Sequence, residues 1–199
     1  IDQGGFGCVF YPGFNCRNKL EKTNEKLVSK LQLNTFNARN EILIGKKVSD
    51  ISNYKLYFLP VIDSCDLSIA NIDKKAIDKC EIIEKGIDKY KVLELLYLEN
   101  ISFDKLFTDS TRSTRNLFLT LIETYKYIAI AIGELIAIDI VHFDIKEQNI
   151  LYSTKYENPI LIDFGLSIPV KNIDNSNLSQ YFYVYAPDYY LWPLEVHII

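Results

Sequence analysis

The chain has 199 residues, of which 48% are hydrophobic and 24% charged, enough for one domain with a real core. A net charge of −4 gives no electrostatic basis for a general nucleic-acid or anionic-membrane partner. No apolar run in the sequence reaches the length of a membrane span, and no secretory leader is visible at its start.

Methionine is absent even from position 1, which predicts a segment taken from inside a longer reading frame. Cys8, Cys16, Cys65 and Cys80 show neither C-x-x-C spacing nor a nearby histidine. They read as structural thiols of a reduced, cytoplasmic chain.

In chain order, residues 1–12 read as strand, glycine turn, strand, with Gly4-Gly5-Phe6-Gly7 placed before Cys8-Val9-Phe10-Tyr11. Glycines let a backbone approach a phosphate closely, although an ordinary β-turn uses the same residues. Residues 15–25 are polar and of mixed charge, as in a hairpin loop. Residues 26–31 alternate enough for a strand that carries Lys30. Residues 37–49 have helical spacing, and Glu41 is the only acidic residue in that stretch. Its plain role is a carboxylate near a helix N-terminus.

Residues 54–62 and 90–98 are rich in aromatic and β-branched side chains and read as strands. Between them, 63–89 is a charged insertion with irregularly spaced Ile-Asp-Lys triplets, expected to be a loop or extra hairpin. Residues 114–140 form a long helix pattern, apolar nearly all round and therefore expected to be buried.

The chemistry concentrates in His142-Phe143-Asp144-Ile145-Lys146-Glu147-Gln148-Asn149 and in Asp163-Phe164-Gly165. The strand-like pieces Ile150-Leu151 and Ile160-Leu161-Ile162 join them. Asp144 can accept a hydroxyl proton, and Lys146 can neutralise a transferring phosphoryl group. Asn149 and Asp163 are hard oxygen ligands suited to Mg²⁺. His142, among apolar neighbours, reads as a packed imidazole rather than a base.

This run resembles the catalytic and metal-binding loops of a eukaryotic-type protein kinase, H-R-D-x-x-x-x-N followed by D-F-G. Asp144-x-Lys146 is similar to the serine/threonine branch. Gly4, Gly5, Phe6, Gly7 and Val9 resemble the kinase glycine-rich loop, with Asp2 where its first glycine belongs. Val28-Ser29-Lys30 resembles the V-A-I-K strand in part. By that resemblance Lys30 would hold phosphates and Glu41 would hold Lys30. Glu94–Asn100 would receive adenine, through Glu94 and Leu96, with 96–100 as a hinge between lobes. Residues 167–184 would be an activation segment ending at Tyr185-Ala186-Pro187-Asp188, or else at Pro193-Leu194-Glu195. Phe143 stands where such kinases carry arginine, which implies activity without an activation-segment phosphate.

The resemblance implies an α+β, two-lobed fold: an antiparallel sheet plus one helix over 1–95, then an incomplete, mostly helical lobe over 101–199. It implies Mg²⁺- and ATP-dependent phosphorylation of serine or threonine in a protein substrate. The Tyr189-x-x-Trp192-Pro193-Leu194-Glu195 ending and the Ile/Asn/Lys-heavy composition are similar to protein kinases of large DNA viruses. Two alternatives stay open: a nucleotide-binding pseudokinase scaffold, suggested by Asp2 and Phe143, and a small-molecule kinase of the aminoglycoside or choline type.

Overall fold

The computed structural model describes residues 2–182 and Trp192, apart from 5–6, 15, 17–25, 69–76, 78–79, 84–86, 88 and 109–110. In chain order it runs β1 (Asp2–Gly4), β2 (Gly7–Phe10), β3 (Leu27–Gln32), α1 (Phe36–Ser49), β4 (Asp63–Ser68), β5 (Lys89–Leu96) and β6 (Asn100–Ser102). There follow α2 (Phe103–Thr108), α3 (Thr114–Ala137), β7 (Ile140–Val141), β8 (Ile150–Ser153), β9 (Asn158–Leu161), β10 (Ile168–Pro169) and the single turn α4 (Leu178–Tyr181). The result is α+β with antiparallel sheets, in the order β1-β2-β3-β5-β4 for the first and β6-β8-β9 for the second. A short β7–β10 ladder makes a third.

Register in the first sheet decides what faces what. Val9, Lys30 and Leu93 are cross-strand partners in one row, and Cys8, Leu31 and Val92 in the next. Successive residues point to opposite faces, so the second row and the first look different ways. The Cys8–Leu31–Val92 face carries a core with Phe10 and Tyr90. The Lys30 face looks toward α1.

Helix α1 starts where Thr35 caps it, its hydroxyl accepting the Ala38 N–H at 3.2 Å. Ile44 and Val48 enter a second core with Phe58, Ala131, Leu135, Ile140, Ile150, Leu161 and Phe164. One apolar cluster thus joins α1 to the elements that flank His142–Asn149 and Asp163. The segment after α1 is laced to β9: Leu161 N–H donates to Tyr57 O at 2.8 Å and Leu59 N–H to Leu161 O at 3.0 Å.

Several sequence expectations need correction. Residues 54–62 are not a strand: Tyr54–Leu56 is a 3₁₀ turn, and Phe58 and Val61 are buried in the core. The strand begins at Asp63, inside the stretch expected to be a loop or extra hairpin, and β4 is an edge strand held by its antiparallel ladder to β5. Asp-Ser-Cys-Asp-Leu-Ser has little strand propensity of its own, and pairing outweighs it. The cysteines are not free: Cys8 pairs with Cys80 and Cys16 with Cys65. These bonds join residues 72 and 49 positions apart, a proximity that spacing could not disclose.

Nor is α3 buried. Only Thr124, Ala131 and Leu135 are buried in it, while Phe118, Leu121, Ile122, Tyr125 and Ile136 are exposed. One narrow stripe meets β7 and β9, and an all-round apolar composition does not create a second neighbour. No helix of the described residues is long and apolar enough to cross a membrane.

Gly45 shows how closely α1 lies on its neighbours. A Cβ there would stand 2.6 Å from Val61 O and 3.0 Å from Val61 N, backbone atoms that cannot swing aside. Gly45→Ala should therefore destabilise the fold by about 1–3 kcal/mol in a thermal melt. Alanine's helix preference of about 1 kcal/mol works the other way. A raised melting temperature would mean that the loop retreats freely.

Candidate functional site

Lys30 lies mid-strand on β3 with its side chain 12% exposed, and its ammonium is shared. Nζ donates to Glu41 Oε2 at 2.9 Å and to Asp163 Oδ1 at 3.1 Å. Burial alone would lower the lysine pKa, but the two carboxylates more than offset it and hold the pKa above the ordinary value. Burial likewise pushes Glu41 up, against the pull of Lys30. Glu41 has a further donor, Gln32 Nε2, at 3.4 Å.

The next residue on α1 does related work. Asn40, 4% exposed, donates its amide to Gly165 O at 3.1 Å and Ser167 O at 2.6 Å. Adjacent side chains of one helix turn therefore hold Lys30 and the backbone just after Asp163. Phe164, 1% exposed, packs between Phe58 and His142 with ring centroids at 6.0 and 4.9 Å.

Asp144 is 2% exposed. Its Oδ2 accepts from Asn149 Nδ2 at 2.8 Å, and the same amide reaches Asp144 O at 2.9 Å. Oδ1 lies 3.0 Å from Lys146 Nζ as an ion pair, yet it has no aligned hydrogen-bond donor. Of the two carboxylate oxygens it is the one not bonded to Asn149. Burial raises the Asp144 pKa, with Lys146 and Asn149 pulling it back. A raised carboxyl pKa makes a better base near neutrality.

His142 is structural, as its apolar setting suggested. Its Nε2 bonds Ile162 O at 3.1 Å and its Nδ1 accepts the Asp144 N–H at 3.4 Å, which fixes the neutral Nε2–H tautomer. Burial drives its pKa to about 4, against small opposing effects of Ile162 O and Asp163.

The structure thus brings together Lys30, Glu41, Asp144, Lys146, Asn149 and Asp163. Glu94 does not join them. Its carbonyl accepts the Ile62 N–H at 2.8 Å, and its carboxylate accepts the Cys16 N–H. It sits inside the β5 ladder on the face away from Lys30, because β3–β5 pairing runs on through Tyr97 N–H to Lys26 O. Leu96 ends that ladder, and the linking backbone begins only at Leu98. Val9 shares the Lys30 row. Gly4 pairs with Gly7 across the β1–β2 hairpin, and Gly5 and Phe6 lie outside the described residues, as does 185–188.

Gly7 has a packing reason of its own. A Cβ there would lie 2.5 Å from Leu31 O and 3.1 Å from the Cβ of Gln32, the residue that braces Glu41. Gln32, Asn40 and Trp192 are the contributors that sequence reading missed. Gln32 and Asn40 sit one or two positions from the lysine and glutamate it did find, and their roles appear only across the fold.

The donor set suits a phosphate-bound Mg²⁺. Asp163 offers a carboxylate and Asn149 its amide oxygen, since the Asn149 nitrogen is used on Asp144. Three carboxylates (Glu41, Asp144, Asp163) face two ammonium groups (Lys30, Lys146), leaving a negative balance that a divalent cation would offset. No protein-family model and no curated protein matches this chain.

Lys30→Ala leaves two carboxylates without their shared cation and should cost about 3–5 kcal/mol in urea unfolding. Lys26→Ala, an exposed lysine above the Tyr97 ring, should cost under about 1 kcal/mol. Equal losses would mean that Lys30 is not the buried partner.

His142 sets a pH dependence. The unfolded chain takes up a proton near pH 6.5 that the folded chain refuses until about 4. Stability should therefore fall as pH drops through that window, by on the order of 3 kcal/mol in total. In urea titrations His142→Gln should flatten the slope; an unchanged slope would assign it to other groups.

Proposed function

We propose that the chain is a protein kinase domain that transfers the γ-phosphate of ATP to serine or threonine hydroxyls with Mg²⁺. The observation that carries this reading is the Lys30 ammonium held between Glu41 and Asp163, beside a buried Asp144 with one oxygen lacking an aligned donor. A phosphate-positioning cation, a metal carboxylate and a hydroxyl-directed base are the parts phosphoryl transfer uses.

In this reading Glu41 and Gln32 keep Lys30 extended toward the phosphates. Asp163 and Asn149 hold Mg²⁺, which would screen phosphate charge. Asp144 orients the acceptor hydroxyl and takes its proton on Oδ1. Lys146, already at Asp144, neutralises charge on the group in transit. The work is positioning and charge stabilisation. Adenine would meet backbone at Leu98–Glu99 rather than at Glu94, within the two-lobed arrangement that the motif order implies. The two disulfides favour an oxidising compartment or a virion over the reduced cytoplasm.

The test is transfer of labelled γ-phosphate to serine- and threonine-containing proteins, with small alcohols as competing acceptors. Asp163→Asn should lower the rate by about 10²-fold or more, because it removes a charge on the metal. It keeps an acceptor for Lys30, so the melting temperature should change little. A rate close to that of the unchanged chain would sink the assignment.

A further inference from the structure

The chain's single tryptophan lies far from Asp144 in sequence and next to it in space. Trp192 Nε1–H donates to Phe143 O at 2.9 Å across 49 positions. Its ring stacks on Phe143 with centroids 5.1 Å apart and 24° between planes. Phe182 meets the Phe143 ring edge-on at 6.0 Å. Phe143 itself has φ 63, a left-handed conformation that a bulky side chain seldom adopts. Such a conformation persists only where its surroundings over-determine it.

The peptide plane between Phe143 and Asp144 is therefore held from both sides. Its carbonyl is bonded to Trp192, and its N–H points to His142 Nδ1 at 3.4 Å. That plane carries the Asp144 side chain, so its tilt decides where the carboxylate sits. His142 is anchored in turn on Ile162 O. One anchor is built into the core, and the other arrives on a remote segment.

We infer that Trp192 is a positioning residue: by clamping Phe143 it sets the Asp144 carboxylate, and so makes the segment bearing Trp192 a determinant of turnover. This rests on the kinase reading for its catalytic consequence, but the clamp itself is a structural claim. An aromatic stack and one indole hydrogen bond here fix the catalytic loop to a later segment, with no charged group at position 143.

Two variants separate the contacts. Trp192→Phe keeps a ring for the stack and loses the N–H; Trp192→Leu loses both. Turnover should fall about tenfold in the first and about 10²-fold in the second, the scale on which small misplacements act. KM for Mg²⁺-ATP should stay within about twofold, because Lys30 and Asp163 are untouched. Unchanged kcat in Trp192→Leu, or a raised KM with unchanged kcat, would overturn the proposal.

Two measurements need no activity. Phe143→Leu should shift Trp192 emission to the red and speed its quenching by iodide. Trp192→Phe should accelerate amide exchange across 142–146 while the melting temperature holds. If neither changes, the clamp is wrong. If both change but the unaltered chain transfers phosphate to no acceptor, the clamp stands and the kinase reading fails.

Discussion

One buried ammonium organises the molecule. Lys30 is almost out of water, and a cation in that position is tolerable only with opposite charge at hydrogen-bond distance. It has two such partners, one from α1 and one from the turn after β9. Sheet, helix and the turn after β9 must therefore meet at one point. Much of the surrounding packing answers that requirement. Gly7 makes room for Gln32, Gln32 braces Glu41, Gly45 lets α1 lie against Val61, and Asn40 ties α1 to Gly165 and Ser167.

Of the five non-glycine residues with left-handed φ among the described residues, two lie at this place. Phe143 and Asp163 both have left-handed φ values, 63 and 61, although neither is glycine. Each lies beside or at a carboxylate of the site. A strained residue needs support, and here the support is visible: Trp192 and Phe182 at Phe143, and at Asp163 the Lys30 bond together with the buried Phe164 that follows.

The two ends of the described fold are finished differently. Beside the first sheet, two disulfides bind Cys80 to β2 and Cys16 to β4. Cross-links of that span restrict the unfolded chain more than short ones do. Around α3 the reverse holds, with large apolar side chains facing solvent on most of the helix.

Much of the candidate site's make-up could be read from the sequence. Asp144, Lys146, Asn149 and Asp163 stand in short segments whose spacing already implies a shared site; β3 and α1 announce themselves by period, and β5, β8 and β9 by apolar, β-branched composition. These features depend on neighbours a few residues away. The failures all concern distant partners. Disulfide pairing, β4 as an edge strand, the exposed flank of α3 and Glu94 inside the ladder rather than at a hinge were each decided by what packs alongside. Trp192 is the sharpest case, since nothing within ten residues of it hints at Phe143. Local composition sets what a segment can form; only tertiary contact decides which buried groups find partners, because desolvation is settled by the whole surroundings of an atom and not by its place in the chain.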